Sequence, residues 1–130
     1  MVVGSGLFCL ALNVYFEARS EDVVGQYAVA EVTLNRVASD RFPDTICDVV
    51  WQRKQFSWTH DGKSDKPRDG KAWRRAVSVA ALALEDDGHE VVGYDALYYH
   101  ADYVRPYWAN SYKVVGKVGR HIFYKDTSNG

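Results

Sequence analysis

The first long apolar segment of the chain has hydrophobic side chains on every side of a helix. Between Leu7 and Arg19 the apolar residues recur at all angles around the helix axis. A helix that is apolar all round is typical of a buried central helix. The pattern therefore predicts a core helix over Leu7 to Arg19. Asn13 and Glu17 interrupt it, and their spacing of four places them on one face.

Three further helices are predicted from capping residues, apolar spacing and glycine stops. Their predicted ranges are Val23 to Ala38, Thr45 to Gln52 and Lys71 to Asp87. Ser20 and Asp22 are candidate caps of the second helix, and Gly88 ends the fourth. Glu31 lies within the apolar stripe of the second helix. The polar segment from His60 to Gly70 is expected to be a surface loop at the rim of a site.

The end of the chain is predicted to be extended. Its β-branched and aromatic residues, broken by glycines, are typical of strands. The predicted strands are Ala96 to His100, Lys113 to Val118 and His121 to Lys125. No repeat or linker divides the sequence. We therefore expect residues 1–130 to form one α+β domain, mostly α, with a buried central helix and a small β element.

Charge and hydropathy argue against several classes of function. The 130 residues include 16 basic and 17 acidic ones, a net charge of −1, so no strong field attracts nucleic acid or an anionic membrane. The apolar run from Leu7 to Phe16 is too short to cross a bilayer, so no stable membrane insertion is expected. This run also lacks a basic flank and a cleavage site, and no signal peptide is visible.

The cysteines and histidines leave open alternatives. Cys9 and Cys47 are either two buried thiols or one disulfide formed in an oxidising compartment. The histidines show neither HxxxH nor HExxH spacing, the patterns typical of zinc sites. They are His60, His89, His100 and His121. No metal and no other cofactor is predicted.

Glu17 is the strongest candidate for chemistry. An ionised carboxylate on an apolar helix is costly unless it is paired, and burial raises its pKa. A carboxylic acid that is still protonated near neutral pH can protonate a glycosidic oxygen. Alternatively, Glu17 ends its helix and pairs with a base such as Arg19 or Arg36. A two-carboxylate glycosidase would place a residue such as Glu21 or Glu31 about 5–9 Å from Glu17.

The residues around Glu17 carry a longer motif. Residues 13–21 are N-V-Y-F-E-A-R-S-E, which resembles the N-x-Y-x-E-A-R-G-E signature of the SleB/CwlJ-type cell-wall hydrolases. These are the spore-cortex-lytic enzymes and their bacterial and phage relatives. Further similarities follow in order along the chain, at Gly25-Gln26, Ala28 to Ala30, Asn35 to Val37, Phe42 to Thr45, Gln55 to Ser57, Tyr98 to His100, Pro106 to Ala109 and Gly119 to Tyr124. Two departures are Ser20, where the family has Gly, and Gly93-Tyr94-Asp95 in place of a Gly-rich stretch.

The resemblance implies a lysozyme-like, lytic transglycosylase-like domain. It would cleave the glycan strand of peptidoglycan between N-acetylmuramic acid and N-acetylglucosamine. Glu17 occupies the position of the family's catalytic Glu. It would act first as acid and then as base, while the muramyl 6-hydroxyl closes onto C1 to leave a 1,6-anhydro-muramyl end. The substrate-binding candidates are Gln55, Phe56, Ser57, Tyr99 and His100, and the supporting candidates are Asn13, Glu31 and His121. Trp58 and Trp108 are further candidates for lining the sugar groove.

Three alternative functions stay open at this point. They are lysozyme-type hydrolysis by water, noncatalytic glycan binding, and zinc-dependent cleavage of the peptide stem. The expected partner in each case is peptidoglycan, and a monomer is expected. The protein is expected to act at the cell wall or in the periplasm. Because no signal peptide is visible, it would either stay cytoplasmic until release, as a phage endolysin does, or be an excised secreted domain.

Overall fold

The structure is a computed structural model that describes residues 2–52, 56–64, 66–85 and 91–126. Within these ranges, helices precede a three-stranded antiparallel sheet. The α-helices are α1 (Val2–Ala18), α2 (Val23–Ala38), α3 (Ile46–Val50) and α4 (Gly70–Glu85). The strands are β1 (Ala96–Ala101), β2 (Lys113–Val118) and β3 (His121–Lys125), and two 3-10 helices cover Ser57–His60 and Tyr107–Ser111. None of the described helices is long and apolar enough to span a membrane.

The order of four helices and three strands agrees with the prediction, and α2, β2 and β3 have the predicted bounds. α1 begins at Val2 rather than Leu7, and it continues through Gly6, where a Cβ would lie only 3.4 Å from Ile46 of α3. α3 is shorter than predicted and is capped by Thr45, whose hydroxyl accepts the Asp48 N–H at 3.1 Å. The predicted end of α4 at Asp87 and its stop at Gly88 lie outside the described residues.

α1 is the central helix of the fold, as predicted. Leu10, Ala11, Val14 and Tyr15 are fully buried. They pack against buried residues of α2 and α4, namely Tyr27, Ala30, Ala76, Val79, Ala80 and Ala83. The alanines of α4 let that helix approach α1 closely. The prediction of an entirely buried apolar surface is wrong at Phe8, which is 53% exposed and meets the ring of Trp73 edge-on.

The sheet packs against α2 and is held there by buried polar side chains. Its strand order is β1-β3-β2, so β3 is central, and Phe123 of β3 is fully buried against α2. Asn35 donates to the carbonyls of Gly93 at 2.8 Å and Ala96 at 2.9 Å. Arg36 donates from Nε to the carbonyl of Leu97 at 2.8 Å. These bonds fix the start of β1, and therefore Tyr99 further along the strand, relative to the helices.

Cys9 and Cys47 form a disulfide, which resolves the alternative that the sequence leaves open. Their Cα atoms are 5.3 Å apart, and the bond joins α1 to α3. Cys9 is buried with Leu12, Val50 and Phe56 in one hydrophobic cluster. The disulfide therefore fixes α3 beside the half of α1 that precedes Glu17.

Candidate active site

Glu17 lies in the last turn of α1 and is partly buried. Its Oε1 accepts a 2.6 Å hydrogen bond from the hydroxyl of Tyr99, which β1 brings to the helix end. No described residue forms a salt bridge with Glu17. Arg19, one of the ion-pair partners considered from the sequence, instead donates to the Tyr15 hydroxyl at 2.6 Å. The carboxyl of Glu17 is therefore held by a neutral donor.

Burial raises the pKa of Glu17 above its ordinary value. The hydrogen bond from Tyr99 and the positive charge of Arg36 act in the opposite direction, but burial is the larger effect. Burial likewise raises the pKa of Tyr99 well above its ordinary value, so this phenol stays protonated and can donate. The site thus favours a neutral acid at Glu17 and also supplies stabilisation for its ionised form.

Arg36 is a buried cation close to this site. Only 4% of the residue is exposed, and its guanidinium lies over the rings of Phe42 at 4.9 Å, Phe56 at 5.1 Å and Tyr98 at 5.6 Å. Stacking of this kind stabilises a guanidinium that has left water. Its Nη1 makes no hydrogen bond to any described residue. Burial lowers the pKa of Arg36, and the nearby Tyr99, Tyr98 and Glu17 oppose that shift.

Asn13 connects α1, α2 and the 3-10 helix behind Glu17. Its Oδ1 accepts the indole N–H of Trp58 at 2.8 Å, and its Nδ2 donates to the hydroxyl of Thr33 at 3.3 Å. The side chain also lies near Tyr99 and acts to lower the pKa of that phenol, against the larger effect of burial. Asn13 therefore links α1 to α2 and to the 3-10 helix close to the tyrosine that holds Glu17.

Glu17 opens into a cavity of ≈ 470 Å³. This volume is in the range of ligand-binding cavities. Phe16 and Trp58 line it with stacked rings whose centroids are 4.8 Å apart, and the edge of Trp51 meets Trp58 at 5.0 Å. The other lining residues are Tyr15, Arg19, Asp61, Lys63, Ser64, Lys66 and Arg68. The loop after the 3-10 helix is thus at the rim of the site, as predicted, whereas Asp61 and the three loop cations were not singled out from the sequence.

The structure brings only some of the substrate-binding candidates to Glu17. Tyr99 contacts the carboxyl directly, and Trp58 lines the cavity. Phe56 is only 3% exposed, so it presents almost no surface to a ligand. Its ring packs against the ring of Tyr99, with centroids 6.3 Å apart. Gln55 lies outside the described residues, and Ser57 is described only as the start of a 3-10 helix.

His100 does not reach the cavity at Glu17. Its Nδ1 lies 2.8 Å from the carbonyl of Ala101 and must donate, because a carbonyl only accepts. Its Nε2 lies within hydrogen-bond distance of the hydroxyl of Tyr124, at 2.7 Å. The ring belongs to an aromatic cluster with Trp108 and Tyr124. The side chains of adjacent strand residues point to opposite faces, so His100 faces away from the side that Tyr99 presents.

The other candidate carboxylates bind the backbone. Glu31 is fully buried and accepts the N–H groups of Val91 at 2.9 Å and Val92 at 3.2 Å. Glu21 is 8% exposed, and its Oε1 accepts the N–H of Arg120 at 2.7 Å and Nδ1–H of His121 at 3.0 Å. Neither lines the cavity at Glu17, so neither is placed as a second carboxylate there.

His121 supports the site through Tyr99. Its ring meets the ring of Tyr99 edge-on, with centroids 5.3 Å apart. Burial lowers the pKa of His121, and the carboxylate of Glu21 opposes this shift. No group of three or more metal-ligating side chains occurs among the residues that the structure covers. The hydrogen bond between Glu21 and His121 joins the turn after α1 to the start of β3, next to Tyr99.

A comparison with protein families gives a match over residues 20–124 to the profile described as Cell Wall Hydrolase. The chain belongs to the cell wall hydrolase family. Relatives of this family include the spore cortex-lytic enzyme of Halalkalibacterium halodurans, which is 37% identical over 114 residues, covering 88% of this chain and 33% of that protein. The spore cortex-lytic enzyme of Bacillus subtilis is 32% identical over 114 residues, covering 88% and 35%. The chain thus spans about a third of the length of these relatives.

Two solved structures of cell wall hydrolases share the fold. The catalytic domain of the germination-specific lytic transglycosylase SleB from Bacillus anthracis superposes with a TM-score of 0.73 at 32% identity, covering 92% of this chain and 93% of that one. The catalytic domain of the Bacillus cereus SleB protein gives 0.69 at 30% identity, covering 93% and 91%. The predicted family and the predicted α+β, mostly helical fold are confirmed.

The two departures from the cell wall hydrolase signature lie away from the acid. Ser20 is exposed in the turn between α1 and α2, where the Glu21 N–H bonds the carbonyl of Ala18 at 2.9 Å. Tyr94 is 71% exposed and precedes β1. Neither residue lines the cavity at Glu17. Neither of these side chains therefore contributes to the cavity at the candidate acid.

Proposed function

We propose that this chain is a lytic transglycosylase that cleaves the glycan strand of peptidoglycan between N-acetylmuramic acid and N-acetylglucosamine, with Glu17 as its acid and base. The observation that carries the proposal is the Glu17 carboxyl, whose pKa is raised by burial, held by Tyr99 at the edge of an aromatic-lined cavity. Membership of the cell wall hydrolase family supports it. So does similarity to a catalytic domain described as a lytic transglycosylase.

In the first step, protonated Glu17 donates its proton to the glycosidic oxygen. The bond between that oxygen and muramyl C1 breaks, and its electron pair stays on the departing oxygen. Positive charge develops on C1 and the ring oxygen, as in other glycosidases. Glu17 is now ionised, and the hydrogen bond from Tyr99 and the charge of Arg36 stabilise it in this state.

In the second step, the Glu17 carboxylate accepts the proton of the muramyl 6-hydroxyl while that oxygen bonds to C1. The product is a 1,6-anhydro-muramyl end, and Glu17 is again protonated. No water is consumed, and one carboxyl serves both steps. This fits the position of Glu21 and Glu31, which bind backbone N–H groups and do not line the cavity.

Hydrolysis by water is the second candidate function, and the position of Asp61 favours it. Asp61 lines the same cavity as Glu17. A second carboxylate in the site is what a hydrolytic glycosidase uses to activate water or to form a covalent intermediate. Its Oδ1 accepts the backbone N–H of Lys63 at 2.9 Å, which leaves further acceptor capacity on the carboxylate.

The remaining assignments belong to the same proposal. Residues 1–130 act as one catalytic domain and as a monomer, without a metal or cofactor. Tyr99 positions Glu17, Asn13 and His121 support Tyr99, and Gln55 and Ser57 stay predicted substrate-binding residues. The Cys9–Cys47 disulfide supports action at the cell wall, because disulfides persist in oxidising compartments.

Mass spectrometry of the muropeptides released from purified peptidoglycan tests the proposal. We expect anhydro-muramyl ends, which are lighter by one water than reducing ends. Glu17→Gln should lower the rate by roughly a thousandfold, the middle of the range for general acid–base catalysis. Glu85→Gln, on the exposed end of α4, is the matched control and should retain the rate. Reducing ends alone would favour hydrolysis, and full activity of the Glu17 variant would reject the acid.

A chelator separates the metal-dependent alternative. Release of stem peptides that is lost with EDTA and restored by zinc would identify an amidase. Binding to peptidoglycan without any release would identify a glycan-binding module. Either result would overturn the proposed function.

A further inference from the structure

The cavity at Glu17 is lined by four cationic side chains. They are Arg19, Lys63, Lys66 and Arg68, referred to here as the cationic rim. None of them forms a salt bridge with another residue of the described chain. The net charge of the protein is only −1, so this is a local concentration of positive charge beside the acid rather than a property of the whole surface.

Two acidic side chains of the same loop are engaged with backbone groups. The Asp61 carboxylate accepts the N–H of Lys63 at 2.9 Å. The Asp69 carboxylate accepts the N–H of Ala72 at 3.1 Å and so caps the start of α4. These interactions build the turn and the helix end. Of these two carboxylates only Asp61 lines the cavity, so the four cations of the rim outnumber it there.

The cationic rim is attached to the same helix as the acid. The hydroxyl of Tyr15 accepts Nη1 of Arg19 at 2.6 Å and the backbone N–H of Asp69 at 3.0 Å. The guanidinium of Arg19 also lies 4.9 Å from the centre of the Tyr15 ring. Tyr15 is fully buried in α1, two positions before Glu17. Arg19 and the end of the loop are thus fixed relative to the acid by one side chain.

We propose that the cationic rim binds the free carboxylates of the peptide stem on the muramyl residue, so that glycan strands with free stem carboxylates are cleaved in preference to amidated ones. This rests on the proposed function. The stem is attached to the same sugar whose C1 bond would be cleaved, so an anionic stem reaches the edge of a cavity that holds that sugar. Arg and Lys side chains are the usual protein ligands of carboxylates.

The test compares matched walls made from one preparation. Purified peptidoglycan, freed of phosphate polymers, is used as isolated or after carbodiimide-coupled amidation of its carboxylates. The unaltered protein should release muropeptides from the isolated wall about tenfold faster than from the amidated wall at low ionic strength. The preference should shrink as salt is added, because the rim is open to solvent.

Two triple variants separate the rim from net charge. Lys63→Gln/Lys66→Gln/Arg68→Gln should reduce the ratio of the two rates to about one. The control Arg74→Gln/Arg75→Gln/Lys113→Gln removes the same number of exposed positive charges outside the cavity and should keep the ratio. Thermal unfolding of both variants checks that each is folded.

Each outcome decides either the inference or the proposed function. Equal rates on the two walls, or an unchanged ratio in the rim variant, would overturn the inference and leave the proposed function standing. The same loss of preference in the control variant would overturn the inference, because the net charge of the protein would then explain the preference. Recovery of rate on an amidated wall that keeps its phosphate polymers would assign the anion to phosphate and overturn the carboxylate assignment. No glycan cleavage of either wall would reject the proposed function itself.

Discussion

The hydroxyl of Tyr99 donates a 2.6 Å hydrogen bond to Oε1 of Glu17, joining β1 to the last turn of α1 across 82 residues of sequence. Burial raises the pKa of both groups, so both favour their neutral forms. The hydrogen bond favours the ionised form of Glu17 and partly offsets its burial. This contact therefore lowers the free energy of ionised Glu17 relative to protonated Glu17. A residue that acts as both acid and base must use both of these states.

Tyr99→Phe should lower the rate of muropeptide release by about tenfold or more, since hydrogen bonds to charged groups contribute about 1.5–3 kcal/mol. Loss of the donor should also raise the pKa of Glu17 further. The alkaline limb of the pH–rate profile reports the protonated acid, so that limb should move to higher pH. Rates measured from acid to alkaline pH check both effects.

Tyr98→Phe is the matched control for the tyrosine at position 99. Tyr98 lies on the opposite face of β1, and its ring stacks on Tyr112 with centroids 4.3 Å apart. Removal of its hydroxyl should leave the pH–rate profile unchanged. If both variants lose rate without any shift of the profile, Tyr99 has a packing role only.

Glu17→Gln should stabilise the protein near neutral pH and not at low pH. The pKa of Glu17 is raised in the folded state. As the pH rises above the ordinary pKa of a Glu side chain, the unfolded chain therefore releases this proton before the folded protein does. The native state of the unaltered protein thus loses stability as pH rises through the folded pKa, whereas Gln does not titrate. The Tm of the variant should be higher by roughly 2–5 °C near neutral pH.

Thermal unfolding of the two proteins across pH measures this difference. It should shrink to nothing once Glu17 is protonated in both states. Glu85→Gln, at the exposed end of α4, supplies the control for loss of one negative charge. A variant that is less stable than the parent at neutral pH would show that the carboxylate is net stabilising, contrary to the direction of its pKa shift.

Local pattern predicted the helices and marked Glu17 as a candidate acid, because both predictions depend on neighbours in sequence. Asn13 and Glu17 share a helix face by their spacing alone. α2 has a capping residue at each end, Asp22 before it and Ser39 after it. The placement of His100 could also have been anticipated. Because β1 alternates its side chains, Tyr99 and His100 cannot both face Glu17. The resemblance marked both residues without regard to strand geometry.

Other features depend on tertiary contacts that no local pattern contains. Glu31 was a candidate carboxylate because it faces inward, but its oxygens accept hydrogen bonds from the backbone N–H groups of Val91 and Val92. The cavity position of Asp61 depends on how the loop returns to α1, which is set by the Tyr15 hydroxyl. Such contacts join residues more than 50 positions apart and follow from the fold rather than from periodicity.

The Cys9–Cys47 disulfide should contribute about 2–4 kcal/mol to the free energy of unfolding, because it closes a loop over a sequence separation of 38 residues. Cys9→Ala/Cys47→Ala should therefore unfold at lower denaturant concentration. Reductant should have the same effect on the unaltered protein and none on the double variant. Equal unfolding midpoints for the two proteins, each with and without reductant, would show that the disulfide does not stabilise the fold. Activity well below the unfolding transition should persist, because neither cysteine lines the cavity.

Gly119→Ala should be more destabilising than Gly62→Ala. Both glycines have positive φ, 56° and 78°, so alanine costs about 1 kcal/mol of backbone strain at either position. A Cβ at Gly62 would meet nothing within 4 Å, whereas a Cβ at Gly119 would lie 2.8 Å from Oε2 of Glu21. That carboxylate would have to move, weakening its bonds to Arg120 and His121, at an added cost of roughly 1–2 kcal/mol.

Urea unfolding of the two alanine variants measures the difference, and a Glu21→Ala background identifies its cause. Without the carboxylate, the contact at position 119 is gone and only backbone strain is left. The extra cost of Gly119→Ala over Gly62→Ala should then disappear, because the two substitutions become equivalent. If Gly119→Ala stays more destabilising than Gly62→Ala in the Glu21→Ala background, backbone strain in the β2–β3 turn causes the difference. The contact with the Glu21 carboxylate would then not be its cause.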